Sequence, residues 1–245
     1  MLGYSLLRHE TLMTTKLLTA ILFTLSLPAA HATDILIEAY GDSTTEGWQV
    51  IDGKSVISPN NETAVLERML TQKYGDQVRI ANHGVGGTQA SQLLYGTDGK
   101  HPVWEEQMRR SKAKIITLNM SLNDAYFQSV PTAGVLAESP QAYAEILKQL
   151  IFTAKKYGKT IILYEPHPVC KEPRQSKLQY YVAHMNIVAS ETSTPIVPHY
   201  YNFLESPGWQ SMLSDCVHPL DSMYQLKAER ELPIISNIID TLINK

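Results

Sequence analysis

Short apolar runs alternate with longer helical stretches along most of this 245-residue chain, and that alternation limits the fold more than any other feature. Ile35–Tyr40 is an apolar run closed by Gly41, the pattern of a buried strand. Asn61–Tyr74 reads as a helix, with Val65, Leu66, Met69 and Leu70 on one face and Gly75 as its stop. Val78–Ala81 reads as a second strand, followed by a turn at Gly84, Gly86 and Gly87 and a helical stretch through Leu93 and Leu94. Lys114–Asn119 gives a third strand, Pro140–Tyr157 a long amphipathic helix ended by Gly158, and Thr160–Tyr164 a fourth strand. Ser176–Ser190 is expected to be helical, Pro195–Val197 a short fifth strand, and Asp221–Ile243 a final helix interrupted near Pro233. Strands joined by helices of this length need parallel crossovers, which bury an α/β central parallel sheet between two helical layers. No repeat, low-complexity tract or linker divides residues 33–245, so they read as one domain.

The first 32 residues follow a different logic. Lys16 precedes Leu17–Leu27, an uncharged and mostly apolar stretch broken by Pro28, and Ala30-His31-Ala32 supplies a small-x-small site. Positive, apolar and cleavable regions in that order are those of a secretory signal peptide, and the stretch is too short to span a bilayer. Residues 1–32 are therefore read as a leader, the mature chain as beginning near Thr33, and the product as exported, periplasmic or secreted, with no stable membrane anchor. A buried N-terminal helix is the plain alternative. Without Arg8, Lys16 and Glu10 the remainder holds 19 cationic and 23 anionic side chains, a net of −4. No basic run exceeds two residues, which leaves no footprint for nucleic acid. With 44% hydrophobic and 18% charged residues, the composition also excludes a disordered chain and a coiled-coil rod. Cys170 and Cys216 are the only cysteines. Export to an oxidising compartment favours a disulfide between them over two buried thiols, and neither has a C-x-x-C partner for a metal.

In parallel sheets function sits at the carboxyl ends of strands, which singles out four blocks. They are Gly41-Asp42-Ser43, Asn82-His83-Gly84-Val85-Gly86-Gly87, Ser121-Leu122-Asn123-Asp124 and, before the last helix, Asp215-Cys216-Val217-His218-Pro219. In this order they resemble the SGNH/GDSL hydrolases, a family of serine esterases, lipases and acyl hydrolases. The resemblance implies a flavodoxin-like three-layer α/β/α fold and no cofactor. It also implies Ser43 as nucleophile, Asp215 and His218 as the rest of a triad, and an oxyanion hole from Ser43 N–H, Gly87 N–H and the Asn123 side chain. Two positions depart from the family pattern. Ser121 stands where the third block usually has glycine, which bears on the local backbone, and Thr44 follows the nucleophile in place of leucine.

The chemistry explains the residue types. A serine hydroxyl attacks poorly unless a base takes its proton, and an imidazole with an unperturbed pKa of about 6.5 suits that task. Asp215, three residues before His218, can turn back to the ring and hold its tautomer. Taken alone, the pair would read as a turn cap. Gly84, Gly86 and Gly87 permit positive φ and close approach, and G-x-G-G does not meet the dinucleotide pattern. Asp42 and Asn82 are expected to support loop backbone. His83 and His167 sit on strand-end loops and are candidates to line the cleft, whereas His101, His184 and His199 read as surface or packing residues. Trp48, Tyr126 and Phe127 are candidates for the groove floor or for ordinary rim positions. A metal on Asp215 and His218 lacks a third ligand.

The function expected from this is an exported serine esterase acting through an acyl-enzyme on a small-molecule or glycan ester, with a lean towards acylated carbohydrate. A lysophospholipase or thioesterase acting on lipid acyl groups is the alternative within the class. A catalytically silent glycan-binding module is the alternative outside it.

Overall fold

The computed structural model describes Met1, Leu2 and residues 34–244, so the expected leader lies, but for its first two residues, outside the described ones. The first strand, β1 (Ile35–Gly41), leads into a single helical turn, α1 (Ser43–Glu46), and a ribbon of β2 (Trp48–Ile51) and β3 (Lys54–Ile57). Then come α2 (Glu62–Tyr74), β4 (Val78–Gly84), α3 (Ala90–Tyr95), α4 (Trp104–Arg110), β5 (Ile115–Asn119) and α5 (Leu122–Ser129). The chain continues through α6 (Pro140–Lys156), β6 (Thr160–Tyr164), α7 (Arg174–Thr192), β7 (Ile196–Val197), α8 (Tyr200–Leu204) and α9 (Asp221–Ile243).

Five strands pair in parallel in the order β4-β1-β5-β6-β7. Counted within the sheet this is 2-1-3-4-5, the flavodoxin-like order, and its switch point falls between β1 and β5. Side chains alternate across the pleat. Ile35, Ile37, Ile115, Ile162 and Tyr164 pack against Val65, Leu66 and Leu70 of α2 and Ala228, Ile235 and Ile239 of α9. Tyr40, Ile116, Leu118, Ile161 and Leu163 pack on the other face with α3 to α7. Both faces are therefore covered, which is why the strands read as continuous apolar runs. Each fully buried Ile or Leu contributes about 1.5–3 kcal/mol.

Three features differ from the sequence expectation. The β2–β3 hairpin was not anticipated; its antiparallel pairing turns on Asp52 and Gly53, both at positive φ. Helix α9 runs uninterrupted through Pro233. Pro233 and Glu229 are both exposed, so the Glu229 carbonyl that the proline leaves unpaired faces water rather than the core. Finally, charge is buried under the sheet's carboxyl edge. Lys227 pairs with Glu62, and His199 lies 3.0 Å from Glu231, all with nearly inaccessible side chains. Of the two readings given for His199, surface or packing, the structure shows packing.

Candidate active site

Ser43 is the first residue of α1. Asp42 caps that turn, its Oδ1 accepting from Thr44 N at 2.8 Å and Thr44 Oγ1 at 2.9 Å. Burial pushes the Asp42 carboxyl upward, partly offset by those two bonds. The turn is short because Gly47 ends it at φ 104°. Asn82 anchors it from the neighbouring strand, its Nδ2 donating to Thr45 O at 2.7 Å and Thr63 Oγ1 at 2.9 Å. Asp42 and Asn82 therefore hold backbone, as expected of them.

The Ser43 Oγ lies 2.9 Å from His218 Nε2, and His218 Nδ1 lies 2.9 Å from Asp215 Oδ2. The remaining carboxylate oxygen, Asp215 Oδ1, accepts from His218 N at 2.7 Å and Val217 N at 3.1 Å. Partial burial pushes the Asp215 carboxyl up, but bonds from the His218 backbone and ring outweigh it and the net direction is down. The side chain is thus held ionised against the imidazole. The loop that carries this pair is closed at its base by a bridge between Leu213 and Pro219. It is also tied from outside. Cys170 and Cys216 form a disulfide, Cys170 N donates to Cys216 O at 3.0 Å, and buried His167 Nε2 lies 2.7 Å from Val217 O. Burial first, then the Lys227 charge, pushes His167 down to about 3, so it stays neutral and donates its Nε2–H to that carbonyl. It braces the loop from behind and does not line the cleft. His83 stacks on Tyr40 at 4.9 Å.

Opposite Ser43, Gly86 N donates to Glu46 Oε2 at 2.6 Å and Val85 N to Gly41 O at 2.9 Å. These bonds set the turn so that Gly87, at φ 80° and exposed, has no partner for its N–H among the described residues. Of the three glycines only Gly87 has positive φ. Gly84 is needed for close approach instead, since a Cβ there would meet Glu46 N at 2.2 Å. Asn123, on the first turn of α5 and 5% exposed, donates Nδ2 to Thr88 O at 3.0 Å and accepts at Oδ1 from Arg174 Nη2 at 3.2 Å. One Nδ2–H remains to donate. Trp48 places its ring 6.2 Å from that of His218. Tyr126 lies under the Arg174 guanidinium at 4.1 Å, with Phe127 edge-on to it. Arg174 carried no signal in the sequence, and His167 stood out only by its strand-end position and not by its bracing role, because each acts on residues about 50 positions away.

A hydroxyl, an imidazole and a carboxylate in line, beside a Gly87 N–H that has no partner among the described residues, are equipped for acyl transfer. Comparison with known proteins agrees with that chemistry. Among solved structures, Axe2, an acetylxylan esterase from Geobacillus stearothermophilus, is 20% identical with a TM-score of 0.65 over 83% of this chain and 95% of that one. LAE5, an α/β hydrolase from the metagenome of Lake Arreo, Spain, is 19% identical with a TM-score of 0.64, over 82% and 95%. The acetyl xylan esterase AlAXEase is 15% identical with a TM-score of 0.65, over 82% and 100%. At these identities the likeness is one of fold. No curated protein matches the sequence. The model of the GDSL-like lipase/acylhydrolase family matches residues 39–226, most of the chain. With that match over the strands and loops just described, the protein belongs to the GDSL-like lipase/acylhydrolase family of ester-bond hydrolases.

Proposed function

We propose that Ser43 is the nucleophile, His218 its general base and Asp215 the group that orients and charges that base. The observation that carries this reading is the continuous line from Ser43 Oγ to His218 Nε2 and from His218 Nδ1 to Asp215. His218 takes the Ser43 proton as Oγ adds to the ester carbonyl. The N–H groups of Ser43 and Gly87 and the free Nδ2–H of Asn123 receive the oxyanion of the tetrahedral adduct. Collapse expels the alcohol, which leaves with the proton from His218. Water, deprotonated by the same imidazole, then adds to the acyl-enzyme and releases the acid. No step calls for a cofactor.

The substrate we propose is an acylated carbohydrate, deacetylated outside the cytoplasm. The acetylxylan esterases among similar folds support the first part. The leader-like residues 1–32 and the disulfide support the second.

The test is substitution with labelling. Ser43→Ala should abolish ester hydrolysis with an unchanged melting curve, and a fluorophosphonate probe should label Ser43 alone. Labelling at a different serine, or activity that survives the substitution, removes the mechanism. A screen of the active enzyme across acetyl to long-chain esters, O-acetylated polysaccharide and lysophospholipid then decides the substrate. Turnover confined to lysophospholipid or long acyl chains replaces the carbohydrate reading with the lipid one.

A further inference from the structure

An asparagine amide has two orientations of nearly the same shape, related by a half-turn that exchanges its oxygen and nitrogen. For an oxyanion donor the difference is decisive, since the flipped amide would point Oδ1 at a developing negative charge. At Asn123 both ends are gripped by groups that tolerate only one orientation. Thr88 O needs an N–H and receives Nδ2 at 3.0 Å, while Arg174 Nη2 needs an acceptor and meets Oδ1 at 3.2 Å. After a flip, carbonyl would face carbonyl and N–H would face N–H.

Arg174 is itself fixed. Its Nε donates to Leu122 O at 3.0 Å, so one side chain spans two consecutive residues of α5. Its plane rests on the Tyr126 ring at 4.1 Å. It is the first residue of α7, so α5 and the segment after β6 meet at this side chain. A cation on the amide oxygen also draws density from the nitrogen, which makes the remaining Nδ2–H a stronger donor.

We infer that Arg174 is a positioning residue for the oxyanion hole, fixing the orientation of the Asn123 amide and strengthening its free N–H. The inference rests on the reading of Asn123 as an oxyanion donor.

A double-mutant cycle tests it. In the otherwise unchanged enzyme, Arg174→Met should lower kcat about ten- to a hundredfold, bounded by the loss of the donor itself, with KM within about threefold. In an Asn123→Ala background the same substitution should change kcat less than about twofold, since no amide remains to be oriented. Equal losses in both backgrounds would mean that Arg174 acts elsewhere, and overturn the inference. Should Arg174→Met fail to fold, Arg174→Lys is read through the same cycle; it keeps the charge but cannot span Leu122 O and Asn123 Oδ1. Asn123→Ala by itself separates the two claims. An unchanged kcat there overturns the oxyanion reading and the inference with it. A large loss there, with additive Arg174 effects, overturns the inference alone.

Discussion

Ser121 holds φ at 121°, a conformation open to glycine and strained for any residue with a Cβ. Its Oγ is buried without a partner among the described residues. Ser121→Gly should therefore stabilise the fold by about 1 kcal/mol, the relief of strain exceeding the entropy cost of an added glycine. Urea unfolding with an unchanged m-value checks it, and a lower midpoint would show the site to be unstrained. A second prediction concerns His167. Its folded pKa lies at about 3, far below the ordinary 6.5, so between those values the unfolded chain binds the extra proton. Stability should then rise with pH through that window and be lost as pH falls from about 6.5 towards 3, with a ceiling of about 5 kcal/mol. His167→Gln keeps an N–H for Val217 O and removes the titration, so its stability should fall less between pH 7 and pH 5. Parallel slopes for the two proteins in urea would refute this. The proposed oxyanion donor carries its own test: Asn123→Ala should lower kcat about 10²–10³-fold with a smaller change in KM, and a rise in KM alone would mean that it positions substrate. At this scale Ser43, Asp215 and His218, which the structure brings within hydrogen-bond distance of one another, were legible because they sit in short blocks that resemble a family pattern. The sequence hid Lys227, Glu62 and Glu231, since a charged side chain carries no mark of its own burial when its partner is distant in the chain.

Among the elements, the hairpin of β2 and β3 forms one wall of the site. Trp48 reaches the His218 ring, Tyr224 Oη donates to Trp48 O at 2.9 Å, and Val50 N donates to Ser214 Oγ at 3.0 Å. Its signal was present in the sequence. Asp52-Gly53 between Trp48–Ile51 and Lys54–Ile57 is a strong two-residue hairpin turn, but the mixed apolar and polar flanks obscured the strands. The central strands were legible because burial on both faces makes them mostly apolar. The last helix was misjudged at Pro233 because sequence does not show which side of a helix meets water. The disulfide, by contrast, followed from the cysteine count and the expectation of export. It joins residues 46 apart, with Cα atoms 4.8 Å from each other, and its closure accounts for about 4 kcal/mol in the chain-entropy model. Its larger effect should be on rate, because Cys216 lies between Asp215 and His218. Reductant is expected to lower kcat under conditions where the far-UV spectrum and melting curve persist. Two free thiols on the denatured, non-reduced protein would rule this out.

On the scale of the molecule, the sheet order follows from the alternation of strands and helices plus right-handed crossovers, which leave few arrangements to choose among. The placement of Ser43 and Asn123 on either side of the β1–β5 switch point then needs no special device. Export can be tested on the whole chain. Expressed with residues 1–32 in a bacterium, the protein should lose them after Ala32 and appear outside the inner membrane with no titratable thiol. Retention of the full mass in the cytoplasm would exclude the leader. The segment that follows β6 has a wider consequence. It supplies none of the proposed triad or oxyanion groups, yet its Cys170 and His167 hold the loop of Asp215 and His218, and the helix it leads into begins with Arg174 against Asn123. Drift there would disturb proton transfer and charge stabilisation at once. The tip of the hairpin at Asp52 and Gly53 is exposed and has no such double duty. Relatives or laboratory variants that acquire new ester preferences should therefore have lengthened or exchanged that tip while leaving the β6 segment almost untouched.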